Sequence, residues 1–280
     1  MKSRNASKFA WFGRWLVGAT IASIAASPAG ATFDAAVSPP RFELEGKAGE
    51  IIRQVLTITN GGEQAARYDI KTADWYLDAN SRVAYHEGAP AAGSCRPWVK
   101  IERHQINLAP RASRGYRFEV HVPPDAKSGE CRFALLIAGA AATVVQPGAQ
   151  QIRIPVVGRL GVIVYVTVGA ARPDLRLASL AIKKVDGKPM VAAEFVNLGD
   201  AHGRVFGNLE AKDAAGRTFE LIVQQSAILP KGRRTLRLHP VDYSTGEPRD
   251  APFDPVAPLH VRGKFQFRGG GEVKVDQVIR

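Results

Sequence analysis

The sequence predicts an all-β protein made of two tandem β-sandwiches that follow a cleaved secretion signal. Three observations support this prediction: apolar and polar residues alternate in several short runs, Gly and Pro separate those runs at short intervals, and one strand-and-turn pattern occurs twice. Alternation with period two places one face of a strand against a core, and short strands at regular spacing are typical of sandwiches and barrels.

The N-terminus has the composition of a secretory signal. Four cations come first: Lys2, Arg4, Lys8 and Arg14. An apolar run at residues 15–26 follows, and small residues occupy positions 29–31, so we expect a signal peptide at residues 1–31 with cleavage before Thr32. The run is shorter than the ~20 apolar residues that span a bilayer, which argues against a membrane anchor. We therefore expect a mature chain in the periplasm, without an integral membrane segment.

The two cysteines are Cys95 and Cys131. An even number of cysteines in a small secreted domain usually indicates a disulfide, so we predict a bond between these two residues. Closing a loop of this length stabilises a domain by roughly 3 to 4 kcal/mol in the chain-entropy model.

The charge of the chain is moderately basic. Removal of the signal, with its four cations and no carboxylate, lowers the formal net charge from +12 to +8. The remaining Lys and Arg are scattered along strands and turns, a pattern typical of solvated strand faces, and we expect no nucleic-acid partner.

The strand patterns divide the chain into two similar halves. The clearest alternation lies at residues 116–122 and 259–267. Strand patterns that end in Asn and a Gly-containing turn occur at residues 55–62 and 191–199. A Pro-containing turn, Leu-Ala-Pro at 108–110 and Leu-Pro at 229–230, then leads into a basic strand in each half. The small, turn-forming residues 169–173 separate the halves. We expect an N-terminal domain at 32–168, a linker at 169–173 and a C-terminal domain at 174–280.

Motifs for catalysis or metal binding are absent from the sequence. The six histidines show no metal-ligand spacing, and we interpret them as surface residues: His86, His104, His121, His202, His239 and His260. There is no Gly-x-Ser-x-Gly or His-Glu-x-x-His motif and no phosphate-binding glycine loop. The sequence therefore favours a protein that is not an enzyme and that holds no cofactor or metal.

The order and spacing of several short motifs resemble a known family. The first half contains them at residues 37–42, 56–60, 97–101 (PWVKI), 106–110 (INLAP), 116–122, 124–130 and 133–137, and the second half at 180–185 and 228–230. In this order they resemble the periplasmic chaperones of pilus (fimbrial) assembly in the chaperone-usher pathway. The resemblance extends over nearly the whole mature chain.

The resemblance implies two immunoglobulin-like domains that capture pilus subunits and deliver them to an outer-membrane usher. Such a subunit lacks one strand, so it exposes an apolar groove and unpaired backbone groups, and the chaperone lends a strand of its own by donor-strand complementation. The donor in this chain is expected within residues 152–168, with Ile152, Ile154 and Val156 on the apolar face. Pro155 fits an edge better than the middle of a sheet, although the segment can also be read as internal core.

The family also holds the terminal carboxylate of the subunit, with an Arg on the first strand and a Lys on the donor strand. Arg41 matches the first position, between Pro40 and Phe42. The donor segment has no Lys, and its nearest cation, Arg159, matches only if the register shifts by two or three residues. Arg can bind a carboxylate in bidentate fashion, so this substitution is chemically workable.

Two readings of other classes stay open. One is a structural or adhesive immunoglobulin-like module of the cell envelope without chaperone activity, and the other is a periplasmic enzyme of unrecognised type. The genes next to the coding gene would separate the chaperone from the module, because a chaperone is expected beside an usher and small secreted subunits.

Overall fold

A computed structural model describes most of the chain after the predicted signal peptide. The described residues are 33–78, 82–139, 142–145, 153–156, 158–185, 187–244, 246–268 and 270–280. The predicted signal at residues 1–31 and the donor residue Ile152 lie outside them. The described part contains strands, turns and one 3₁₀ turn (Arg96–Trp98), so the predicted all-β fold with two immunoglobulin-like sandwiches is confirmed.

The described residues of the first domain form twelve strands. They are β1 (Ala35–Ser38), β2 (Arg41–Gly46), β3 (Ile51–Asn60), β4 (Ala66–Leu77), β5 (Val83–His86), β6 (Val99–Ile101), β7 (Gln105–Leu108), β8 (Ser113–His121), β9 (Gly129–Gly139), β10 (Ala142–Val145), β11 (Arg153–Val156) and β12 (Arg159–Val168).

Two sheets face each other in this domain. One has the order β1-β3-β8-β6, and the other has the order β2-β12-β9-β4-β5, with β7 added beside β4. The core between them includes Leu56, Ile58, Phe118 and Phe133, each at most 1% exposed. Burial alternates along β8, as the sequence pattern predicted, because only one face of that strand meets the core.

The segment expected as one long donor strand is divided into two strands. β11 pairs only with β10 among the described residues, whereas β12 lies in the large sheet between β2 and β9. Gly158 precedes β12, and a Cβ atom at that position would lie 1.8 Å from Cγ of Phe33. Only a residue without a side chain fits beside this ring, so position 158 requires Gly.

The predicted disulfide between Cys95 and Cys131 is confirmed. It joins the residue before the 3₁₀ turn to β9, and Cys131 lies in the core of the first sandwich. The bond therefore attaches the connection between β5 and β6 to the middle of the large sheet.

Nine strands are found in the described part of the second domain. They are β13 (Leu175–Val185), β14 (Lys188–Asn197), β15 (Val205–Phe206), β16 (Asn208–Lys212), β17 (Thr218–Val223), β18 (Arg233–Asp242), β19 (Arg249–Asp250), β20 (Leu259–Phe267) and β21 (Glu272–Ile279). Hydrogen bonds connect all nine in one sheet that folds around a separate core, which includes Phe195, Leu236 and Phe265.

One buried asparagine in each domain explains the repeat in the sequence. The side-chain amide of Asn60 donates to the carbonyl oxygens of Gln64 (2.7 Å) and Ala109 (3.0 Å), and its Oδ1 accepts the N–H of Gly62. In the second domain the amide of Asn197 donates to Ala201 (2.8 Å) and Ile228 (3.0 Å). Its Oδ1 accepts the backbone N–H groups of Gly199 and Asp174. Each Asn side chain thus makes hydrogen bonds to the backbone of its own turn and to the backbone of a neighbouring connection between strands.

Replacing Asn197 with Ala should lower the free energy of unfolding by about 2 to 3 kcal/mol, because buried backbone groups lose their partners. Urea unfolding with an unchanged m-value is the appropriate measurement. Asn208→Ala, which removes an exposed amide beside the Tyr243 hydroxyl, is the control and should change the free energy by less than about 0.5 kcal/mol. Equal effects of the two substitutions would contradict the structural role of Asn197.

Candidate functional site

A row of four side chains crosses the outer face of the large sheet in the first domain. Tyr165 on β12 is paired with Glu43 on β2 and with Arg132 on β9. Ala73 on β4 is paired with Ala134 on β9, so Trp75, two residues further along β4, lies opposite Arg132. The row therefore reads Trp75, Arg132, Tyr165, Glu43, and we call it the cross-strand row.

The side chains of this row contact one another. The rings of Trp75 and Tyr165 meet edge to face with centroids 5.3 Å apart, and the guanidinium carbon of Arg132 lies 5.4 Å from the Trp75 ring centroid. Such an arrangement combines aromatic packing with a cation–π contact. It fixes the Arg132 guanidinium on the outer face of the sheet.

Arg41 belongs to the neighbouring row. It is paired with Ile163 on β12, two residues before Tyr165, and its Nε lies 2.9 Å from Oε1 of Glu43. Arg159 lies four residues before Ile163 on the same strand, which corresponds to about 13 Å along a β-strand. Its guanidinium pairs with Glu87, whose other oxygen lies 2.5 Å from the Lys71 ammonium. The structure thus brings Arg41 to the cross-strand row and does not bring Arg159 there.

The second domain packs against this face of the first. Ala227 belongs to one apolar cluster with Trp75, Tyr165 and Leu136, and Leu229 packs against the same cluster. The cluster joins the two domains beside the cross-strand row. The walls of the resulting cleft therefore come from both domains.

Glu43 forms ion pairs with cationic side chains of both domains. Its Oε1 lies 3.1 Å from Nη2 of Arg204 and 3.7 Å from Nε2 of His202, and its Oε2 accepts a hydrogen bond from Arg268. Burial opposes ionisation of this carboxyl, but the charges of Arg204, His202, Arg268 and Arg41 outweigh burial and lower the pKa of Glu43. The carboxylate is therefore charged at neutral pH and joins the second domain to β2.

The phenol of Tyr165 lies among several guanidiniums. Burial raises the pKa of Tyr165, while the charges of Arg204, Arg41 and Arg132 act in the opposite direction. Arg234, whose pKa burial lowers, also faces this phenol and donates to the carbonyl of Ala227 (2.8 Å). A neutral phenol surrounded by cations can donate a hydrogen bond to an anion that enters the cleft.

Three buried polar atoms near the row have no hydrogen-bond partner in the described part of the chain. They are Nε1 of Trp75, Nε of Arg132 and Oε1 of Glu130. Two of them are donors, so hydrogen-bonding capacity at the joint is not used by the described residues.

The predicted donor residues Ile154 and Val156 lie on β11, opposite Val144 and Ala142 of β10. β12 follows β11 in the sequence, and its residues 163–168 pair with β9 on one side and with β2 on the other. Residues 159–162 pair with β9, and no other described strand pairs with them. Among the described residues, this stretch of β12 therefore has one backbone edge without a partner strand, which we call the free edge.

Several residues of the cleft were not predicted from the sequence: Glu43, Trp75, Glu130, Arg132, Tyr165, His202 and Arg204. One signal for them was present, because Glu130 and Arg132 are alternate charged residues at the start of an otherwise apolar strand. The interpretation of His202 as a surface residue was wrong, since its side chain is 9% exposed and its ring stacks on Tyr165. Its neighbours come from the other domain and are distant in the sequence.

No family model matches the chain, and no curated protein is similar to it. Among solved structures, the YadV chaperone is similar with 8% identity and a TM-score of 0.44, over 88% of this chain and 99% of that one. The CsuC-CsuE chaperone-tip adhesion subunit pre-assembly complex of Acinetobacter baumannii has 11% identity, a TM-score of 0.43 and coverage of 88% and 97%. The Salmonella enterica SafA pilin in complex with the SafB chaperone has 12% identity, a TM-score of 0.44 and coverage of 89% and 98%. Within the described residues, no helix is long and apolar enough to cross a bilayer.

Replacing Glu43 with Gln should lower the free energy of unfolding at pH 7 by roughly 2 kcal/mol, because charge-assisted hydrogen bonds from both domains are lost. Since the folded pKa of Glu43 is lowered, its contribution is complete above its ordinary value of 4.5 and decreases as the pH falls through the folded value. Urea unfolding between about pH 7 and pH 3 should therefore show the difference between wild type and variant shrinking in acid.

The control is Glu45→Gln, which changes an exposed carboxylate on the same strand. A stability difference for Glu43→Gln that stays constant down to pH 3, or an equal effect of Glu45→Gln, would contradict this role of Glu43.

Proposed function

We propose that this protein is a periplasmic chaperone that captures pilus subunits by donor-strand complementation and delivers them to an outer-membrane usher. The observation that carries the proposal is the free edge of β12 beside a cleft rich in arginine. The sequence resemblance to chaperones of this pathway points to the same activity.

The free edge supports strand donation. At residues 159–162 β12 is held by β9 on one side, so the backbone groups on its other side can pair with a further strand. A subunit that lacks a strand of its own sandwich exposes complementary backbone groups and an apolar groove. Ile152, Ile154 and Val156 alternate in the sequence just before this edge, and in our proposal their side chains fill the groove.

The charge of the cleft supports recognition of a carboxylate. Five guanidiniums and two carboxylates lie at the joint between the domains, counting described residues only: Arg41, Arg132, Arg204, Arg234 and Arg268 with Glu43 and Glu130. The excess of positive charge attracts an anion, and guanidiniums bind carboxylates in bidentate fashion.

Arg41 is the proposed anchor for the terminal carboxylate of the subunit. Arg41 is paired with Ile163, the first residue of β12 that pairs with β2. A strand added along residues 159–162 would therefore end next to Arg41. Arg132 and the Tyr165 phenol flank this position. Arg159 remains a candidate second anchor, but its pairing with Glu87 and its distance from Arg41 along β12 favour Arg132 for that role.

The proposal is tested by co-expressing the tagged chain with secreted proteins encoded by neighbouring genes and measuring what is retained on purification. Ile154→Asp should abolish retention, because an unpaired charge in an apolar groove costs several kcal/mol, roughly 2 to 7. Arg41→Ala should weaken retention by about 2 to 5 kcal/mol if the contact is desolvated. Arg159→Ala should behave like wild type.

Val55→Asp and Arg53→Ala are the matched controls. Val55 is an exposed apolar residue and Arg53 an exposed, carboxylate-paired cation, and both lie on β3 in the opposite sheet. Both controls should retain the subunit. If Ile154→Asp and Arg41→Ala stay folded and still retain every co-expressed partner, the chaperone proposal fails, and a structural immunoglobulin-like module becomes the better account.

A further inference from the structure

His202 reaches from the second domain into the first. It follows β14, and its imidazole stacks on Tyr165 of the cross-strand row with ring centroids 3.9 Å apart and an interplanar angle of 27°. The side chain is 9% exposed, so most of the ring is enclosed at the joint.

The hydrogen bonds of His202 are made to a carboxylate of the first domain. Nδ1 lies 2.5 Å from Oε2 of Glu130, and the backbone N–H of His202 donates to the same oxygen at 2.8 Å. A carboxylate oxygen accepts hydrogen bonds, so Nδ1 is assigned as the donor in its contact with Oε2. His202 therefore supplies two donors to one oxygen across the domain boundary.

Glu130 depends on these donors. Its side chain is fully buried, its Oε1 has no hydrogen-bond partner in the described part of the chain, and its other charged neighbour is Arg132 at 3.6 Å. A buried carboxylate is costly unless it is paired and hydrogen-bonded. Loss of the imidazole would remove the shorter of these two hydrogen bonds and leave the buried carboxylate with the backbone N–H of residue 202 and with Arg132, which makes the present domain arrangement less favourable.

The backbone around His202 is fixed on both sides. The carbonyl of Ala201 accepts a hydrogen bond from Asn197, and Gly203 exchanges backbone hydrogen bonds with Ile228. The imidazole is thus presented by a rigid turn of the second domain. A rigid support is what a residue needs if it is to determine the position of one domain against another.

We propose that His202 is a positioning residue that sets the angle between the two domains through Glu130 and thereby holds the partner-binding cleft in its binding geometry. The predicted effect on partner binding rests on the proposed function. The predicted effect on the domain angle rests only on the contacts between the two domains. The stacking of His202 on Tyr165 connects the domain angle to partner binding, because Tyr165 lies among the guanidiniums of the cleft.

The test uses the full chain with spin labels on Thr57→Cys in the first domain and Lys212→Cys in the second, two exposed strand positions. Pulsed electron resonance gives the distribution of distances between the labels. His202→Ala should broaden the distribution, while the unfolding curve should still report two folded domains. Retention of a co-expressed subunit should fall at least tenfold.

Two further variants separate the effect of the hydrogen bond to Glu130 from the effect of ring stacking on Tyr165. His202→Asn keeps a donor close to the place of Nδ1, so it should preserve most of the narrow distribution and of the retention. His202→Phe keeps a ring for stacking on Tyr165 but lacks the donor, so it should resemble His202→Ala. The reverse order would overturn the role of the Glu130 hydrogen bond.

His260→Ala is the control, because His260 is a histidine of the second domain that pairs with Asp276 on the surface of the β20–β21 hairpin. It should match wild type in both measurements. An unchanged distance distribution in His202→Ala overturns the proposal, as does a broadened distribution with undiminished retention. If wild type retains no subunit at all, the proposed function fails, and the distance measurement still decides whether His202 sets the domain angle.

Discussion

The arrangement of this protein depends on the ion pairs of Glu43, a half-buried carboxylate at the joint between the domains. Glu43 is the last residue of the cross-strand row. It forms ion pairs with Arg204 and Arg268 of the second domain and with Arg41 of its own strand. Moving such a group out of water is costly, and several partners together make it tolerable. This carboxylate therefore ties the second domain to β2 and holds the guanidinium of Arg41 beside the cleft.

The free edge of β12 follows from the short length of β2. β2 is six residues long and pairs with β12 only from Ile163 onward, because β1, the preceding strand, pairs with β3 in the opposite sheet. The first strand region thus changes sheets and leaves residues 159–162 of β12 without a neighbour on that side among the described strands. An edge of this kind invites pairing with another chain, and a protein that exposes it benefits from controlling what pairs there.

The sequence was sufficient for features that depend on local pattern. Alternation identified the strands now seen as β8 and β20, the cysteine count identified the bond between Cys95 and Cys131, and the repeated Asn turns reflected the equivalent roles of Asn60 and Asn197. These features involve one strand, one pair or one turn, and their chemistry is visible in the residue types.

The cleft was harder to predict because its residues meet through pairings between distant strands. The cross-strand row requires the register of β4, β9, β12 and β2 together, and a sequence alone does not reveal which residues are opposite each other. Arg159 illustrates the difficulty, since it is on the expected strand but faces Glu87. His202 has no alternating pattern around it, so nothing in its neighbourhood indicated that Tyr165 and Glu130 enclose it.

The central claim is that a partner adds a strand at the free edge of β12 with its terminus at Arg41. Amide hydrogen exchange of the chain alone and in complex with a retained subunit tests this claim most directly. The account predicts that binding slows exchange at least tenfold at Arg159 and Gly161, whose N–H groups lie on the same side of β12 as the Ile163 N–H that bonds Pro40. Residues 163–168 are protected in both states because β2 and β9 already flank them. Protection that appears instead along β21 or β6, with residues 159–162 unchanged, would contradict the account.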